Sequence, residues 1–126
     1  MTQEEHVQYW LDTAARNWDA SQVLVAKALR PAVVFTHWTL EKLCKALWVQ
    51  QHPDVMPPST DDVALLLAAT SFVMNDEQTA FAQNLKAYHD EVLEPDPAHL
   101  LPIPDLKMLS TQADGLRKQL LQAMKN

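Results

Sequence analysis

Glycine occurs once in this chain, and so does cysteine. A single glycine excludes a Gly-rich phosphate loop, a dinucleotide-binding fingerprint and a series of tight two-residue hairpins. Each of these needs backbone conformations or close approaches that other residues reach only at a cost. A single cysteine excludes a disulfide framework and any cysteine-based zinc site. No apolar run approaches the roughly 20 residues needed to cross a bilayer. The opening Met1-Thr2-Gln3-Glu4-Glu5 is too polar and acidic for a signal peptide. The chain therefore reads as soluble and cytoplasmic. Strict two-residue alternation is missing throughout, as are internal repeats.

Positive charge is also scarce. Ten Lys and Arg face sixteen Asp and Glu, for a net charge of −6. An acidic chain does not coat nucleic acid non-specifically, because phosphate neutralisation needs a surplus of bases. The charge is uneven, however: residues 27–53 carry +3 and residues 54–104 carry −8. A local basic patch on the segment around Lys42 and Lys45 remains open to a phosphate.

What the sequence does contain is apolar periodicity. The chain has 126 residues, 48% of them hydrophobic, which suits one domain with its own core. The organising stretch is 35–48. Val33, His37, Leu40, Cys44 and Leu47 recur at intervals of four and three and form one helical stripe. Val34, Trp38, Glu41, Lys45 and Trp48 form a neighbouring stripe, with a Glu-to-Lys pair one turn apart between two tryptophans. A helix apolar on two faces belongs at the centre of a bundle, or between two copies of the chain.

The flanking segments follow the same period. Thr2-Gln3-Glu4-Glu5 is a capping box, predicting a helix from Gln3 to about Leu29. Its inward face is Val7, Leu11, Ala14, Trp18, Ser21 and Val25, and Asp12 and Arg16 form an exposed pair. Arg30-Pro31 breaks the helix, and the central helix follows from about Ala32 to Gln51. Pro53, Pro57 and Pro58 impose an extended connection. Thr60 caps a short helix from Asp61 to about Ser71, with Asp61 and Asp62 at its positive end. Asn75 caps a fourth helix carrying Phe81, Leu85, Tyr88 and Val92. A proline-rich connection then brings Leu100, Leu101 and Ile103 back onto the bundle. The last helix runs from about Asp105 to Met124, with Gly115 marking either a close helix contact or a slight bend. The fold class is all-α: an up-and-down bundle of four to five helices forming a single domain over 1–126.

Chemistry-bearing residues are sparse in pattern. The histidines at 6, 37, 52, 89 and 99 form no metal-ligand motif. His37 and Glu41 lie one turn apart and both could face a metal, but a core-edge histidine bonded to its neighbour is the expected reading, with no metal and no cofactor. Cys44 on the core stripe reads as an inert buried thiol. The four tryptophans could stack bases, but their spacing is that of core residues. Asp90, Glu91, Glu94 and Asp96 read as a solvated acidic helix end rather than an ion site.

Phe35 to Leu47, with Glu41, Lys42, Lys45, Ala46 and Leu47 in their places, resembles the central-helix motif of HEPN domains; His37 and Trp38 stand at its two Gln-type positions. Tyr9-Trp10-Leu11 with Asp19-Ala20 is similar to the opening helix of that family. Pro57-Pro58-Ser59-Thr60-Asp61-Asp62 is similar to the segment before its third helix, where a histidine commonly stands at the Asp61 position. Leu85 to Asp96 lines up with the end of its fourth helix. The likeness covers about residues 9–96. It implies a helical bundle, usually a homodimer, in a family with many RNases, often toxins paired with a minimal nucleotidyltransferase antitoxin. The family's catalytic signature is an Arg followed closely by a His. Here Leu93 and Glu94 occupy the family's Arg-Tyr positions, so a scissile phosphate lacks its donor. The expectation is thus a non-catalytic, dimeric, nucleotide- or protein-binding module with Glu41, Lys45, Trp38, His37, Tyr88 and His89 as ligand-binding residues. The alternative is a divergent RNase toxin using His89, Tyr88 and Lys45.

Overall fold

Helix caps written into the sequence set most of the architecture. In the computed structural model, which describes residues 1–125, Thr2 and Glu5 form the expected capping box and open α1, Gln3–Ala26. The helix ends three residues earlier than its apolar pattern suggests. Ala28 adopts a left-handed conformation with φ 54°. Its N–H donates to the Val25 carbonyl at 3.0 Å, and the Leu29 N–H donates to that of Leu24 at 2.9 Å. This is a Schellman ending built on alanine, in a chain with almost no glycine to place there.

The central helix α2, Ala32–Gln51, has the expected bounds. The third helix is shorter than expected. α3 is Val63–Ala68, capped by the Asp62 carboxylate, which accepts from the Ala64 and Leu65 N–H groups at 2.9 and 3.2 Å. Thr60, the expected cap, instead accepts from the Asp62 N–H. Asp61 is thereby left outside the helix, free to turn toward α2. Asn75 and Gln78 form a second capping box that opens α4, Asp76–Leu93. Asp105 caps α5, Leu106–Ala123.

Among the described residues the protein is five helices and no strand, so the all-α expectation holds. α2 touches all four other helices and packs most extensively on α1. Its first stripe, Val33, His37, Leu40, Cys44 and Leu47, is fully buried. Ala14 of α1, Leu66 of α3, Leu85 of α4, and Leu109, Ala113, Leu116 and Leu120 of α5 complete the core.

Two further local expectations fail. Leu100 and Ile103 do not fold back: they are 69% and 90% exposed. The proline-rich connection is held instead by polar bonds, the Leu101 N–H donating to Glu91 at 2.7 Å while Arg30 pairs with the same carboxylate. Asp12 and Arg16 do not pair; Asp12 accepts from Gln8, and Arg16 reaches Thr13. Of the two readings of Gly115, the close contact is excluded, since a Cβ there would meet nothing within 4 Å. No helix among the described residues is long and apolar enough to cross a membrane.

Candidate functional site

The buried titratable residues fall into two clusters along α2. The first surrounds His37. Its place on the core stripe between Val33 and Leu40 buries the imidazole to 1% exposure. Neither ring nitrogen has a hydrogen-bond partner among the described residues. The nearest carboxylate oxygen, Asp61 Oδ2, is 3.9 Å from Nε2, beyond hydrogen-bond reach. The expected bond to a neighbour is therefore not made. His89, buried on α4, lies against this ring with centroids 4.5 Å apart at 45°.

His89 is held at both nitrogens. An indole N–H can only donate, so Nε2 accepts from Trp38 Nε1 at 3.1 Å and Nδ1 carries the proton that bonds Asp90 Oδ1 at 2.9 Å. Lys86 then bridges two carboxylates, 3.0 Å from Asp90 Oδ2 and 3.6 Å from Asp61 Oδ1. The chain of contacts runs Trp38, His89, Asp90, Lys86, Asp61, and ends at the unbonded ring of His37.

The charges follow from this arrangement. Burial, and then the neighbouring His89, push the pKa of His37 down to about 4; Asp61 and Glu41 pull the other way without matching them. His37 is neutral at pH 7. Burial resists ionisation of Asp90, but the hydrogen bonds from His89 and Lys86 outweigh it and hold the carboxyl below its ordinary range. The same bond to Asp90 raises the pKa of Lys86.

The second cluster lies farther along α2. Glu41 is buried, and its Oε2 takes both Lys42 and, at 3.1 Å, Lys45. The two ammonium groups lie 5.9 and 5.1 Å from the centroid of the Trp10 ring on α1. A buried carboxylate needs such partners, since an unpaired charge there is far costlier than a paired one. Cys44 is wholly buried on the same helix, and its thiol is pushed far up, by burial first and Glu41 second. It is as unreactive as expected.

Of the residues singled out from sequence, His37, Trp38 and His89 come together, with Trp38 bonded to His89. Glu41 and Lys45 pair with each other rather than with the histidines. Tyr88 packs partly buried against the hydrophobic core. The acids of the α4 end are dispersed: Asp90 serves His89 and Lys86, Glu91 serves Arg30 and Leu101, and Asp96 accepts from the Ala98 N–H and meets His99. Asp61, Lys86 and Asp90 were missed. The one sequence signal for Asp61 is that the family resembled here commonly has a histidine at its position.

No protein-family model, curated protein or solved structure matches this chain.

Proposed function

We propose that this protein is a non-catalytic, HEPN-like interaction module whose ligand is another protein rather than a nucleic acid. What supports this is the commitment of the groups that the RNase alternative requires. His89 has both nitrogens bonded, so a ribose hydroxyl has to displace the Trp38 indole N–H before Nε2 can take its proton. Lys45 and Lys42 share the Glu41 carboxylate. Arg30 is paired with Glu91, and Arg117 with Asp114 and the face of Trp18. Among the described residues the one arginine outside an ion pair is Arg16, on α1, which makes no contact with α4. No free guanidinium is therefore placed to meet a developing phosphate charge at His89, and Glu94 at the family's Arg-Tyr position opposes one.

Nucleotide binding is disfavoured on the same ground. Lys86 and Lys118 are in ion pairs as well, which leaves few unpaired cations on a chain of net charge −6. A protein partner with a basic surface suits that charge better. A homodimer, and a minimal nucleotidyltransferase as partner, remain part of the proposal on the HEPN resemblance. Much of the face first expected to form the dimer is covered within one chain: Trp48 is buried with His52 stacked on it, while Trp38, bonded to His89, stays partly exposed.

The test is incubation of the purified protein with RNA in the presence of chelator, with and without an added nucleotidyltransferase. The expected result is no cleavage above a protein-free control. Cleavage that is lost in His89→Ala would overturn the proposal and restore the RNase reading.

A further inference from the structure

We infer that His37, Asp61 and His89 form a binding site for one divalent transition-metal ion of the borderline class that Zn2+ represents. The three residues come from separate elements, α2, the segment before α3, and α4, and one donor atom from each lies within 4.8 Å of the others. Around a tetrahedral ion with bonds of about 2.0–2.1 Å, donor atoms sit roughly 3.4 Å apart. The widest pair thus needs to close by at most about 1.4 Å. Asp61 is the member able to move, because it lies outside any helix with a side chain 39% exposed. That exposure also gives an ion its path in.

The orphaned ring of His37 is the independent sign of a ligand. A buried imidazole without partners carries a standing desolvation cost, and a metal bond removes it at one nitrogen. His89 is prepared in the way metal-ligating histidines usually are. Its Nδ1–H is fixed on the Asp90 carboxylate, which Lys86 holds in turn, so Nε2 carries the available lone pair. That lone pair is lent to the Trp38 indole N–H, which an incoming ion displaces. Lys86 occupies the Oδ1 side of Asp61, leaving Oδ2 toward His37.

Two imidazoles and one carboxylate suit Zn2+, Co2+ or Ni2+, whereas Mg2+ and Ca2+ select oxygen donors. Three protein ligands leave a fourth position for water. This site stands apart from the interaction-module reading, since ion binding is measured without RNA or partner, and either can fail alone.

The experiment uses the full chain without a polyhistidine tag, stripped with chelator and titrated with Zn2+ by calorimetry. Co2+ is added in parallel and followed by its visible absorption. The expected result is one Zn2+ per chain at micromolar affinity or tighter. Asp61→Asn should weaken binding by about tenfold or more, and His37→Gln should remove the Co2+ bands. Trp38→Phe, which keeps an aromatic ring but removes the competing N–H, should tighten binding; a purely structural role for Trp38 predicts no such gain. Absence of stoichiometric binding overturns the inference. So does binding unchanged in Asp61→Asn, which places the ion elsewhere, for instance on the exposed His99. Should His37→Gln fail to fold, the Asp61→Asn result decides alone.

Discussion

His37 is the residue at which the interior carries most tension. Its neutral ring sits without partners beside a second imidazole, and its pKa of about 4 compares with an ordinary value of 6.5. The unfolded chain takes up a proton near pH 6.5 that the folded chain refuses until about pH 4. Stability from this group is therefore complete above pH 6.5 and lost as the pH falls through that window. The full gap corresponds to about 3 kcal/mol. With chelator present, the urea midpoint should drop between pH 7 and pH 5, and His37→Gln should flatten that drop. A wild-type midpoint constant over the interval contradicts it. The acids with lowered pKa, Glu91 and Asp96 among them, act in a separate and lower window: their stability is lost as the pH falls through the ordinary carboxylate range and on below it.

The helix ends carry predictions of their own. Ala28 holds a left-handed conformation that glycine adopts without strain and alanine does not. Ala28→Gly should stabilise the protein by about 1 kcal/mol, because the Schellman bonds remain and only the Cβ clash is relieved. Gly115 presents the opposite case. It lies inside α5 with open space where a Cβ would go, so glycine only weakens the helix. Gly115→Ala should stabilise by roughly 1 kcal/mol. Thermal unfolding measures both, and a loss of stability in either variant would mean that the local backbone reading is wrong. The pair together asks whether the chain's one glycine stands where it helps the fold least.

Taken as a whole molecule, the bundle packs its other four helices around α2 and leaves the stripe of Phe35, Trp38, Lys42 and Lys45 partly exposed. The two apolar stripes of α2 were reason to expect a second copy of the chain, but α1 lies along the second stripe, with Trp10 over Lys42 and Lys45 and Gln3 bonded to the Val49 and Gln50 carbonyls. The homodimer proposed above therefore rests on the HEPN resemblance. Light scattering at micromolar concentration tests it: a dimer has twice the chain mass, and a mass near 14.3 kDa removes that part of the proposal.

Sequence periodicity alone determined the helices, because apolar spacing and side-chain caps are local signals. Five segments, the bounds of α2, the Thr2 capping box, the Asn75 cap, the Asp105 end of α5 and the burial of the stripe from Val33 to Leu47 were all legible. Where two capping residues compete, as Thr60 and Asp62 do, local signals do not choose; the structure gives the helix to Asp62 and frees Asp61. The site belongs to tertiary structure for the same reason. His37, Asp61 and His89 are far apart in sequence, and no spacing rule links α2, the loop before α3 and α4. Only the packing of α4 across α2 sets the His89 ring against that of His37 and bonds it to Trp38. In the same way, the Glu41–Lys45 pair was visible as a one-turn spacing, but only α1 closing over it made it a buried structural ion pair instead of an open anion site.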